Sequence, residues 1–150
     1  MYRKASVVMV ALVLVLSTVT IALSQDKAPP LSPKVQEMVA KAKGAITKVS
    51  AEQVREAIDS KEKAVLLDVR DPGEFAAGHL PGAVNISRGT LEFNVFNKIP
   101  DQSEKVYVYC KSGGRAALAT KTLSDLGYKN AVLMDAMYAD WVKAGYPVER

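Results

Sequence analysis

The chain reads as an α/β domain with a central parallel sheet and helices on both faces. Short apolar runs at 65–69, 106–109 and 131–134 are rich in β-branched or aromatic residues and have the form of buried strands. Between them lie segments with helical spacing of apolar residues, several opening on a capping residue or closing on glycine. The composition agrees with one ordinary globular domain: 150 residues, 49% apolar and 24% charged, with no internal repeat or low-complexity tract.

The N-terminal 24 residues stand apart. Arg3 and Lys4 open the chain, and no charged residue follows until Asp26. Ala22-Leu23-Ser24 puts small residues at the −3 and −1 positions of a cleavage site before Gln25. Residues 1–24 are therefore expected to be a secretory signal peptide or, if uncleaved, a signal anchor long enough to span a bilayer. In the anchored version Arg3 and Lys4 stay on the cytoplasmic side. Either way the domain is expected to be exported, periplasmic or otherwise extracytoplasmic, and to meet a membrane only if the segment is retained.

Residues 25–44 are expected to be a linker and a short helix. The stretch 25–33 is polar and Pro-rich. Ser32 followed by Pro33 has the form of an N-cap and first helical position, and Gly44 ends the helix. The domain proper is expected at 45–150. It begins with a strand at 45–49. Ser50 with Gln53 forms a capping box, and Val54, Ala57 and Ile58 make the apolar stripe of the helix that follows. The strand 65–69 leads to a helical turn at 72–77 and a short strand at 83–86. A helix is expected at 90–98. After the strand 106–109 comes a helix at 115–126, with small or apolar residues at Leu118, Ala119, Thr122, Leu123 and Leu126 and Gly127 as its stop. The strand 131–134 and a last helix at about 137–144 complete the order.

The chemistry concentrates in Cys110-Lys111-Ser112-Gly113-Gly114-Arg115. Cys110 is the only cysteine, placed where a strand ends and a helix begins. Gly113 and Gly114 can take backbone angles other residues resist. Successive N–H groups in such a turn, with the positive end of a helix, bind an anion. That anion is either a substrate or the Cys110 thiolate itself. Lys111 and Arg115 add positive charge, and the combination is expected to pull the thiol below the free value of ~8.5. The competing reading is a buried, inert cysteine.

This loop resembles the active-site loop of single-domain rhodaneses, the sulfurtransferase family. Two further segments are similar to the same family. Residues 68–86 follow its D-x-R, E-F-x-x-G-H-[IL]-x-G-A-x-N pattern, and Trp141 to Val148 resembles its terminal signature. The resemblance covers about 45–150 and implies a rhodanese-like three-layer fold. It implies thiosulfate sulfurtransferase activity without a cofactor. In that chemistry Cys110 is a nucleophile that carries a sulfane sulfur as a persulfide. Lys111, Ser112, Gly113, Gly114, Arg115 and Arg70 would bind the substrate. The implied partners are a small anionic donor, thiosulfate or a persulfide, and a thiol or cyanide acceptor. Two positions depart from the pattern. Ala136-Met137 stands where the family has Gly-Gly, and Ser87 where it often has Pro. The first change is expected to narrow or reshape the pocket.

Other classes are weighed against this one. A non-catalytic binding or sulfur-carrier module would use the same pocket. Cysteine phosphatases and some arsenate reductases resemble this plan but place five residues between Cys and Arg, where this chain has four, Lys111 to Gly114. One cysteine leaves no internal disulfide and no resolving thiol. The net charge of +4 loses two units with Arg3 and Lys4, and no basic run argues for nucleic acid. No His/Cys/Asp cluster has metal-ligand spacing. Asp68 is expected to be a structural acceptor, His79 a structural residue and Trp141 part of the core. Arg70 is balanced between an anion contact and a surface ion pair. Asn85-Ile86-Ser87 fits a glycosylation pattern but lies in an expected strand.

Overall fold

The computed structural model describes residues 30–150. The expected signal segment, 1–24, and the start of the linker lie outside the described residues. Among the described residues no helix is long and apolar enough to cross a membrane.

Eleven elements follow in order: α1 (Pro33–Gly44), β1 (Lys48–Val49), α2 (Ala51–Asp59), β2 (Ala64–Asp68), α3 (Pro72–Ala76), β3 (Val84–Asn85), α4 (Leu91–Lys98), β4 (Lys105–Tyr109), α5 (Gly114–Asp125), β5 (Ala131–Met134) and α6 (Tyr138–Lys143). A 3₁₀ turn, Arg88–Thr90, leads into α4. The five strands form one parallel sheet in the order β1-β5-β4-β2-β3. This is the three-layer arrangement expected. The central strand shows the period-2 logic that builds it. Val106 and Val108 face one core with Leu67, Leu133, Ala42, Leu91 and the buried side of α5. Tyr107 and Tyr109 face the other, with Val54, Leu80, Met134 and Trp141. So α1, α4 and α5 cover one face, and α2 and α6 the other.

Local signals account for most element ends. Ser32 Oγ accepts from Val35 N, and Pro33 occupies the first turn of α1. The Ser50–Gln53 capping box is complete in both directions. Gly127 ends α5 at φ +104°. Trp141 is wholly buried and donates its indole N–H to Pro147 O at 2.9 Å, which satisfies its one polar atom.

Two expectations need correction. The strand expected at 45–49 is only Lys48–Val49. Ala45 is taken up in closing α1, its N–H donating to Ala42 O, and pairing with β5 covers only two residues. The boundary expected at residue 45 also moves. Leu31–Arg150 is one compact unit, so α1 belongs to the domain rather than to a linker before it. Ala42 is buried in the same core as α5, and that burial draws the helix in.

Candidate active site

The ends of β2, β4 and β5 converge on Cys110. In a parallel sheet the loops beyond the carboxyl ends of the strands form the binding crevice. β4 lies in the middle, between β2 and β5, so Cys110 directly after it is flanked by the β2 loop with Arg70 and by the β5 loop with Asp135.

Cys110 has no exposed surface. Its Sγ accepts two backbone hydrogen bonds, from Gly113 N at 3.1 Å and Ala116 N at 3.3 Å. The turn that aims them depends on Gly113, which sits at φ +85°, where an L side chain is strained. Gly114 does not use that freedom and is the first residue of α5. The expected pair of permissive glycines thus reduces to one. Ala116 is the donor that sequence reasoning missed. Its signal was available, because the first four N–H groups of any helix lack intrahelical partners.

The charges arrange differently from the expectation. Arg115 was expected to add positive charge to the loop. Instead it forms a two-pronged pair with Glu74, Nη1–Oε2 at 2.7 Å and Nη2–Oε1 at 3.1 Å, and reaches Asp71 at 3.3 Å. The guanidinium bonds hold the Glu74 carboxyl below its usual range, and Glu74 in turn pushes Arg115 up. Two carboxylates therefore offset this one cation. Lys111 and Ser112 are exposed, and among the described residues Lys111 makes no ion pair. Lys111 O accepts from Tyr138 N at 3.3 Å, which ties the loop to the start of α6.

Arg70 is not a surface pair. It is 3% exposed, and it donates to Asp68 from its backbone N, Nε and Nη2, the last at 2.6 Å. Nη2 also donates to Gly78 O at 2.7 Å, and the Tyr138 ring lies 3.9 Å from the guanidinium carbon. Burial works against its charge, but the Asp68 bonds win and hold Arg70 above its ordinary value. Asp68 thereby takes the structural role expected of it. Gly78 has to be small, since a Cβ there would lie 2.8 Å from the Tyr138 hydroxyl. Beside the loop, Arg70, Glu74, Ala77, Gly78, Lys111, Tyr138 and Ala139 line a mostly apolar recess of about 250 Å³.

His79 stacks on Phe75 with centroids 3.8 Å apart, and its Nδ1 lies 3.0 Å from Phe75 O. These contacts give it a structural place. Asn85 Nδ2 donates to Asp68 O and Arg70 O, so its amide is occupied in supporting the β2 loop. At the departure from the family pattern, Ala136 packs against the core beside α6, while Met137 is 45% exposed. Among the described residues no group of three His, Cys, Asp or Glu could hold a metal ion.

The fold and this loop define a class: an α/β domain with a cysteine sulfur held under backbone N–H groups at the centre of a parallel sheet. Residues 50–144 match the family described as Rhodanese-like domain, and the chain belongs to that family. It is similar to thiosulfate:glutathione sulfurtransferase of Saccharomyces cerevisiae, 35% identical over 92 residues, covering 54% of this chain and 66% of that protein. It is also similar to a putative sulfur carrier protein of Bacillus subtilis, 31% identical over 96 residues, covering 64% of this chain and 51% of that protein. The chain thus spans about half to two thirds of the length of these relatives. A solved structure from Rhodopseudomonas palustris, described as a possible tyrosine phosphatase, superposes with a TM-score of 0.69 at 27% identity, covering 82% of this chain and 99% of that one.

Proposed function

We propose that the protein is a sulfurtransferase that moves a sulfane sulfur from a small anionic donor, thiosulfate or a persulfide, to a thiol or cyanide. Membership of the rhodanese-like family and sulfurtransferase relatives support sulfur transfer in general. The observation that carries the finer reading is the pair of N–H groups of Gly113 and Ala116 on Cys110 Sγ. The thiol releases its proton to solvent, and the thiolate attacks the outer sulfur of thiosulfate. A new S–S bond forms, the old one breaks, and sulfite leaves with the electron pair. The N–H groups then hold the anionic persulfide. A thiol or cyanide attacks its terminal sulfur, the Cys110–sulfur bond breaks, and the thiolate returns. Two half-reactions through a covalent intermediate give ping-pong kinetics.

Incubation with thiosulfate should raise the mass of Cys110 by one sulfur, and Cys110→Ser should abolish transfer to cyanide while keeping the fold. Substantial activity in Cys110→Ser would sink the mechanism. A non-catalytic carrier or binding module is the second reading, favoured by the engagement of Arg115 with Glu74 and Asp71 and by Ala136-Met137. A wild-type protein left unmodified by several persulfide donors would favour that module. The short Cys110-to-Arg115 spacing argues against a phosphatase, and hydrolysis of aryl phosphates is expected to be absent where sulfur transfer is clear. The Arg3-Lys4 start and the uncharged run after it support export, with a mature N-terminus near Gln25 if cleavage occurs.

A further inference from the structure

Helix α1 lies outside the segment that matches the family, residues 50–144, yet it lies beside the Cys110 loop at two points. Lys43, in its last turn, places Nζ 3.6 Å from where a Cβ on Gly113 would lie. Val39, one turn earlier, places Cγ2 3.7 Å from the corresponding point on Gly114. Lys43 is not loose. Its Nζ donates to Asp135 Oδ1 at 2.5 Å, across 92 residues of sequence, and both side chains are about one-third exposed. Asp135 follows β5, so the pair joins α1 to the strand on one side of Cys110 and passes beside the turn between them. Lys43 outweighs burial and holds the Asp135 carboxyl below its usual range, with Lys48, 3.8 Å away, adding to the effect.

We propose that Lys43, fixed by Asp135, is a positioning residue that braces the Gly113–Gly114 turn and keeps the Gly113 and Ala116 N–H groups on Cys110 Sγ. The turn needs such a brace. Gly113 has the largest conformational freedom of any residue type, and no side chain of its own can hold it. Lys111 and Ser112 ahead of it are exposed, so apart from the Tyr138 N–Lys111 O bond and the bonds to Sγ the turn depends on neighbours packed beside it. Val39 supplies the apolar half of that restraint and the Lys43–Asp135 pair the polar half. The proposal rests on the sulfur-transfer reading only for its effect on turnover, because the geometry it explains is that of the resting thiol.

Amide hydrogen exchange at single-residue resolution tests it directly, since local opening is read at each N–H. In Lys43→Met the Gly113 and Ala116 amides should exchange about tenfold faster, with the rest of α5 and the melting temperature unchanged. Sulfur transfer to cyanide should show kcat down by about tenfold at a KM for thiosulfate within about twofold. Lys43→Arg should restore both readouts. Lys41→Met, which removes an exposed lysine on the same helix paired only with Glu37, should change neither. Unchanged exchange at Gly113 and Ala116 would overturn the proposal. So would faster exchange spread evenly over the domain with a lower melting temperature, which marks a general stabiliser. If the exchange effect holds but wild-type Cys110 takes up no sulfur from any donor, the brace stands and the sulfurtransferase reading falls.

Discussion

Two arginine–carboxylate pairs flank Cys110, and they differ in almost everything except chemistry. Arg70 and Asp68 are two residues apart at the end of β2, 4% and 0% exposed in their side chains, and Arg70 also donates to Gly78 O. Arg115 and Glu74 come from α5 and α3, 41 residues apart, and are 33% and 28% exposed. The first pair lies under the Tyr138 ring, with Arg70 itself on the wall of the recess beside the loop. The second sits in reach of water, with Glu74 on the wall of the recess beside the loop. A buried pair held by several mutual hydrogen bonds is architecture: it shapes the β2 loop that flanks the site. A half-exposed pair is adjustable, because solvent can take over from either partner at little cost. The same residue types are therefore locked into the frame in one place and left open to solvent in the other.

The sharpest way to break this contrast is to remove one partner of each pair. Asp68→Ala leaves Arg70 charged and buried without its main acceptor, and should destabilise the fold by about 3–5 kcal/mol in urea denaturation. A loss below ~1 kcal/mol would mean that water reaches Arg70 and that its burial is not structural.

Glu74→Gln should do the reverse. Stability should change by less than ~1 kcal/mol, because the pair is half-exposed and the amide oxygen can still accept from Asp71 N. Arg115 then has only the more exposed Asp71, and the positive potential at the loop rises. The KM for thiosulfate, a dianion, should fall severalfold at low salt and return toward wild type at high salt. A KM that does not respond to the substitution would show that Arg115 plays no part in meeting the donor.

The smallest effect is on pH dependence. Glu74 has its folded-state value depressed from 4.5, chiefly by the Arg115 bonds. Its contribution to stability is therefore complete above that unfolded value and is lost as the pH falls below it through the depressed folded value. Difference titration of wild type against Glu74→Gln should show a gap in stability near neutral pH that closes only below pH 4.5. A gap that persists unchanged in strong acid would assign the effect to packing.

Much of this arrangement was legible in the chain. The capping box at Ser50, the proline after Ser32 and the glycine stop at 127 are local devices, and local devices read out directly. The apolar run 106–109 read as a buried strand and so put Cys110 just beyond a strand's carboxyl end, whereas its central place between two cores emerged only with the fold. What escaped was long-range pairing. Nothing within a few residues of Arg115 tells that Glu74 and Asp71 will meet it, or that Asp135 will meet Lys43, since these contacts exist only once the strands are in register. The role of α1 was missed for the same reason. Its sequence carries one buried position, Ala42, and so weak a stripe does not announce docking. Arg70 stood between an anion contact and a surface ion pair because a D-x-R spacing does not tell that the Tyr138 ring of α6 will cover it.

The complete burial of Cys110, the only thiol in the chain, has a bearing on how such a site wears out. Small oxidants cross a protein surface more readily than bulky reagents, so a covered sulfur is shielded by size rather than by charge. A cysteine that does become a sulfenic acid has no neighbouring thiol here to trap it as a disulfide, and further oxidation is irreversible. Rescue must come from a small external thiol. Ageing of the protein should accordingly be one-way in the absence of reductant, and a bound sulfur on Cys110 would act as a sacrificial cap, removed by thiols before the cysteine itself is lost.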